Sequence, residues 1–344
     1  MGSIAFAIAC GGTQRGDEGL FGEGSHGGID SSGAPSEESE GGGASSNAPG
    51  ESGGSGDSTP ADDTLDPIFD VGMGDSGGAD DGGTMGAGCS YIDVLFVVDI
   101  SASMHEEQAN LAANFPAFVQ VLDDYVGNDG NALGYRIGVT NSSVNFDYDG
   151  CATTMGLDGA LFGGSAFSGD CGTAGSPWLD GPAAGISTGF SCLAEHPIPG
   201  NGGSDCGHER PLDTLEMFVE KSATGDVNDG FYRGEDSLLV LVILTDEDDD
   251  ADWTTTNPAQ TKSVLDTFAA GEDRYVVVTV AGPGPGQCES AFGEAIEAAT
   301  LRDFTEMVPN GLFGDICQGD LTTALSDALE LIQLSCDVLP PPEG

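Results

Sequence analysis

Three observations predict an α/β fold: a doubly wound, mostly parallel central sheet with helices on both faces. Two apolar runs, Val94–Val98 and Leu238–Leu244, are rich in branched side chains and unbroken by charge, as strands buried on both sides must be. Stretches of helical spacing alternate with such runs along the chain, the pattern of right-handed strand–helix–strand crossovers. Each of the two runs leads into an acid, Asp99 or Asp246, and the carboxyl edge of an open parallel sheet is where ligands bind.

Taken in order, the run ending at Val98 is a central strand. Leu111, Phe115, Phe118, Val119 and Leu122 then recur at helical spacing, with Pro116 predicting a kink or two shorter helices, the second capped by Asn114. Tyr135–Thr140 reads as a second strand. From Asn141 to Gly207 the chain turns to Gly, Ser, Asp and Pro, too long and irregular for a loop unless it is stapled or functional. An insertion over about 141–207, with one edge strand near the ligand edge, is expected. Pro211–Lys221 reads as a helix with Leu212, Leu215 and Phe218 or Val219 inward, and Ser237–Leu244 as the second central strand. Pro258–Ala269 follows as a helix, Tyr275–Val280 as a buried strand, Ser290–Thr300 as a helix, Phe304–Val308 as an edge strand and Leu321–Leu334 as the closing helix.

Composition divides the 344 residues. Residues 11–88 are mostly Gly, Ser, Asp and Glu, a mixture that cannot bury enough apolar surface to offset its ordering entropy, so a disordered acidic linker is expected there. A Gly-rich coil of that length reaches about 50 Å. Its one apolar patch, Leu65, Ile68 and Phe69, is expected either to dock on the domain or to do nothing. The folded domain is expected over 89–339. With 8 Lys plus Arg against 58 Asp plus Glu, the formal charge is −50. Such a surface repels nucleic acid and anionic lipid and attracts divalent cations and basic surfaces. Adaptation to high salt explains the same acidity equally well.

Cysteine usage points outside the cytoplasm. Apart from Cys10 the chain holds Cys89, Cys151, Cys171, Cys192, Cys206, Cys288, Cys317 and Cys336, an even set at wide spacing without a Cys-x-x-Cys pair. The expected bridges are Cys89 to Cys336, Cys288 to Cys317, Cys151 to Cys171 and Cys192 to Cys206. Cys192, His196, Cys206 and His208 are also zinc-ligand types, but their spacing is unusual for zinc. Met1 to Cys10 is apolar and ends in Ala-Ile-Ala-Cys, which looks like the tail of a bacterial lipoprotein signal with Cys10 as the lipidated residue. It lacks a basic start and is short for such a signal. The membrane is expected as a partner only through that anchor, and the protein is expected at the bacterial cell envelope or surface.

Asp99, Ser101 and Ser103 alternate along a tight turn, so their side chains can converge on one point. Hard oxygen donors of this kind suit Mg²⁺ or Ca²⁺ better than a thiophilic metal. The plainer reading of a Ser-rich turn is the cap of the next helix.

At Asp99-Ile100-Ser101-Ala102-Ser103 the chain resembles the von Willebrand factor type A domain with its metal-ion-dependent adhesion site, whose first loop is Asp-x-Ser-x-Ser. Asp246, after the second apolar strand, matches the third loop of that site. The resemblance spans roughly Cys89 to Cys336. It implies a divalent cation, Mg²⁺ or Ca²⁺ with Mn²⁺ as a third fit. Ser101 and Ser103 would be direct ligands, and Asp99 and Asp246 would act mostly through bound water. A hydroxyl is also implied from the second loop: Ser204 is the expected residue, with Thr153, Thr154 and Thr173 as the others in reach. With no carboxylate touching it, the ion stays under-neutralised and an open position draws a Glu or Asp carboxylate from a protein ligand.

The implied function is an extracytoplasmic, cation-dependent protein-binding or adhesion module tethered to a membrane. No nucleophile elbow, Ser-His-Asp order or phosphate loop is present, and Gly282–Gly286 alternates with Pro, so the chain is expected not to be an enzyme. Two alternatives stand beside this: a metal-dependent hydrolase of cell-surface material, and a structural envelope protein with a vestigial metal site. The run Asp246 to Asp252 lacks the Gly and closing acid of an EF-hand and reads, after Asp246, as a solvated acidic loop. His105 reads as an exposed residue at a helix start.

Overall fold

The computed structural model describes residues 88–339 apart from 126–131, 149–150, 165–170, 174, 195–207, 291–292 and 319–320. Cys10, Ser204, Cys206, His196 and, save for Gly88, the expected linker 11–88 with its apolar patch therefore lie outside the described residues. The elements run β1 (Tyr91–Val98), α1 (His105–Asp124), β2 (Gly134–Asn141), β3 (Phe146–Tyr148), β4 (Cys151–Thr153), β5 (Leu179–Gly181), α2 (Ile186–Ala194), α3 (Pro211–Lys221), β6 (Ser237–Leu244), α4 (Pro258–Phe268), β7 (Tyr275–Ala281), β8 (Cys288–Ser290), β9 (Gly293–Ala295), α5 (Ala299–Met307), β10 (Gly311–Asp315) and α6 (Leu321–Val338).

Six strands form one sheet in the order β10-β7-β6-β1-β2-β5. Every neighbouring pair is parallel except β2 with β5, which is antiparallel and ends the sheet. Chain order reverses between β1 and β6, the switch point at which doubly wound sheets bind their ligands. Strand alternation divides the core. Val94, Phe96 and Val98 face α1, α2 and α6, while Leu95 and Val97 face α3, α4 and α5. On the first side Phe96 meets Phe115, Phe118 and Phe190 in one aromatic cluster. Burying each such side chain contributes about 1.5–3 kcal/mol.

At the amino edge of the sheet, Asp93 is fully buried and fully paired. Its carboxylate accepts from Arg233 Nε at 2.8 Å, from the Arg233 amide at 2.8 Å and from the Ser237 hydroxyl at 2.6 Å.

Several expectations need correction. Helix α1 is continuous through Pro116, because Leu111, Phe115, Phe118, Val119 and Leu122 are all buried on one face and packing outweighs one lost backbone bond. Asn114 caps nothing; its side chain donates to the Asn110 carbonyl at 2.9 Å. Residues 293–295 form a strand rather than a helix, and Phe304–Val308 is not an edge strand. Leu301, Phe304 and Thr305 form the buried stripe of α5, and the edge strand is β10. The insertion holds an edge strand, β5, but it pairs with Tyr135–Ile137 in the amino half of β2 and not at the ligand edge, and the insertion also holds the unforeseen α2.

The bridges Cys89–Cys336 and Cys288–Cys317 form as expected. The other pairing does not: Cys171 bonds Cys192, which rules out Cys151–Cys171 and Cys192–Cys206. Cys171 stands ahead of β5 and Cys192 on α2, and the fold joins them across 21 positions. Bonds of this kind persist in oxidising compartments. No described helix is long and apolar enough to cross a membrane.

Candidate metal centre

Strand register sets the site. Val98 stands opposite Leu244, so β1 and β6 end level and deliver Asp99 and Asp246 side by side. Asp99 is buried and locked: one carboxylate oxygen accepts from the Ser101 amide at 2.6 Å and the other from the Thr245 hydroxyl at 2.6 Å. Its carbonyl accepts from Gln108 Nε2 at 2.7 Å. The Ser101 and Ser103 hydroxyls lie 2.9 Å apart, and Ser101 Oγ donates to Asp246 Oδ1 at 3.4 Å. Neither the short turn at Ala102–Met104 nor α1 takes a side-chain cap from this loop, so the two hydroxyls serve the cluster and not the helix end. His105 is exposed at the start of α1.

The second loop brings a residue that the sequence reading missed. Glu209 is 1% exposed, two residues ahead of α3, and bridges to Ser143 in an antiparallel pair. Ser142 Oγ donates to its carboxylate, and Ser143 Oγ lies 3.4 Å from both of its oxygens. The only hint was position: an acid immediately before a helix that could be placed. Of the hydroxyls considered earlier, Thr173 donates instead to the Gly163 carbonyl at 3.3 Å.

Charge at this edge is uncompensated. Burial, then the charge of Asp99, holds the Glu209 carboxyl well above the ordinary carboxylate range. Burial also raises Asp99, and burial followed by Asp99 pushes Asp246 up to about 7. Glu107, next to the loop, is pushed up to about 7 by burial and by Asp246 and Glu106, and its Oε2 has no hydrogen-bond partner among the described residues. Gly293, at φ +128°, leaves Glu107 the room a Cβ would take. Among the described residues, no Lys or Arg forms an ion pair with Asp99, Glu209 or Asp246. Buried charges are costly unless paired or bound to a metal. Asp99, Asp246 and the two hydroxyls, with Glu209 facing Asp99, are hard oxygen donors of the kind that a divalent cation takes.

The acidic run after Asp246 is not the solvated loop expected. Asp248 accepts from the Thr300 and Leu301 amides at 2.9 and 3.1 Å and so caps α5, while Asp249 accepts from the Leu212 amide at 2.9 Å and caps α3. Asp250 bonds His208 Nδ1 at 2.5 Å. The zinc set does not assemble, since Cys192 is bonded to Cys171.

The doubly wound, mostly parallel sheet and the two acid-bearing strand ends are those that the type A resemblance implies. No family model matches the chain, and no curated protein does. Among solved structures, proximal thread matrix protein 1 from the mussel byssus, with a zinc-occupied MIDAS motif, aligns at 15% identity and a TM-score of 0.38, covering 72% of this chain and 46% of that one. The pilus adhesin SpaC from Lactobacillus rhamnosus GG, in an open conformation, aligns at 11% identity and 0.36, covering 73% and 31%. Manganese-loaded Plasmodium vivax TRAP protein aligns at 14% identity and 0.35, covering 72% and 75%. The chain spans less than half the length of the first two. Likenesses at this level do not fix the fold; the strand order and register do.

Proposed function

We propose that this chain is an extracytoplasmic adhesion module that binds a protein partner through one divalent cation. Ser101 and Ser103 offer hydroxyls to the ion and Glu209 a carboxylate, while Asp99 and Asp246 orient them from behind. The bound cation supplies a positive point at the rim on which a carboxylate of the partner is held. The observation that carries this reading is the buried Asp99 set between two further buried acids, Asp246 on one side and Glu209 on the other, beside the Ser101 and Ser103 hydroxyls. Among the described residues, no Lys or Arg is paired to any of the three. Glu209 bears on the choice of cation. Ca²⁺ accepts several carboxylates in flexible geometry, whereas Mg²⁺ keeps more of its water, so a carboxylate added to the hydroxyl shell expected from sequence favours Ca²⁺ over Mg²⁺. The third carboxylate also leaves less positive charge for the partner's acid, so contacts beyond the ion carry more of the binding.

The reading as a two-metal hydrolase loses its second set of acids, because Asp248 and Asp249 are engaged as helix caps. Calorimetry with Ca²⁺, Mn²⁺ and Mg²⁺ tests the proposal. One ion per chain, lost in Asp99→Ala and Ser101→Ala variants that keep their circular dichroism, is the expected result. Two ions, or none, counts against it. A membrane anchor at Cys10 is part of the proposal, and Cys10→Ser is expected to release the protein into the medium.

A further inference from the structure

Beside this centre lies an aromatic ledge for which cation binding gives no reason. Phe146 in β3, His208 ahead of α3 and Trp253 after β6 come from three separate segments. Trp253 stacks on His208 with ring centroids 4.5 Å apart and on Phe146 at 4.9 Å. All three are partly exposed.

Asp250 ties the ledge to the centre. Its carboxylate holds His208, its carbonyl accepts from the Trp253 amide at 3.0 Å, and its own amide donates to the Glu209 carbonyl at 2.9 Å. The edge of the ledge is acidic, with Asp252 exposed and Asp250 and Glu247 half-buried. Arg210, the basic residue next to this loop in sequence, is buried and paired with Asp213.

Ring faces attract cations through their quadrupole, and carboxylates around them deepen the negative field. An anionic group meets repulsion there, and the chain as a whole carries −50. We infer that this ledge receives a Lys or Arg side chain from a basic segment of the protein partner. The inference rests on the cation-dependent reading above, in that the ledge is the second contact of the same partner.

The test is calorimetric titration of the full chain, with Ca²⁺ present, by a synthetic peptide of alternating Arg and Gly. A Glu-Gly peptide and a neutral oligosaccharide serve as comparisons. The Arg peptide is expected to bind with an affinity that falls as salt rises, and Trp253→Leu to weaken it about tenfold. Trp253→Phe, which keeps a ring, is expected to stay close to the parent. Ca²⁺ uptake, measured without peptide, is expected to be unchanged in both variants.

Equal binding of the Arg peptide by the Leu variant overturns the inference, since the attraction would then be diffuse charge alone. Trp253-dependent binding of the oligosaccharide or the Glu peptide in place of the Arg peptide also overturns it. A chain that takes up Ca²⁺ but shows no Trp253-dependent peptide binding sinks the ledge alone. Failure of Ca²⁺ uptake with that peptide binding intact sinks the cation reading and supports the ledge.

Discussion

The two ends of strand β1 each bury an aspartate, and they solve the problem differently. At the amino edge, Asp93 is met by the Arg233 guanidinium, the Arg233 amide and the Ser237 hydroxyl. Arg233 also lies 4.1 Å over the Tyr91 ring, so the cation is itself held in place. At the carboxyl edge, Asp99 receives one amide and one hydroxyl and then faces Glu209 and Asp246, both acids. One end is a finished ion pair. The other gathers acids with no Lys or Arg paired to them among the described residues, which is the contrast on which the proposed cation site rests.

The strongest way to break this comparison is to remove the cation at the finished end. Arg233→Ala leaves Asp93 buried and unpaired and is expected to cost about 3–5 kcal/mol in urea unfolding. At the other end, Asp99→Asn in EDTA is expected to leave stability unchanged or raise it, because it relieves repulsion. A cost of similar size at both ends would erase the contrast. Next in size is the effect of the ion. Ca²⁺ at a hundred times its dissociation constant is expected to stabilise the parent by about 2.7 kcal/mol, read as a thermal shift, and to do nothing for Asp99→Ala.

The pH dependence sharpens the same point. Asp246 and Glu107 are pushed up to about 7 in the folded chain, above their unfolded values, so between about pH 4 and 7 the folded state binds more protons. In EDTA, stability is therefore expected to be greatest near pH 4 and to fall as pH rises toward 7. Saturating Ca²⁺ is expected to flatten that slope, as checked by urea midpoints across the range. The smallest expected effect is that of Glu209→Gln. It keeps an oxygen for the ion but removes one ligand charge, and is expected to weaken Ca²⁺ about tenfold, read by calorimetry.

What could be read from sequence was what is local. Val94–Val98 and Leu238–Leu244 announce buried strands by their own composition, and Asp99, Ser101, Ser103 and Asp246 follow from where those strands stop. Glu209 was not legible in this way, because its meaning depends on Ser142, which lies 67 positions earlier and reaches it only through the fold. The start of α5 was misplaced for a similar reason. The residue that caps it, Asp248, sits 52 positions from Thr300, and no local signal marks Ala299 as a beginning. The run from Asp248 to Asp250 looked like solvated charge because acids that cap distant helix ends are indistinguishable, in sequence, from acids that face water.

The bridge between Cys89 and Cys336, reinforced by the Cys89 amide donating to the Cys336 carbonyl at 3.1 Å, joins the start of β1 to the end of α6. Tension applied across the two ends of the domain therefore passes through sulfur before it reaches any strand. The sheet that carries Asp99 and Asp246 is spared a load applied in that direction.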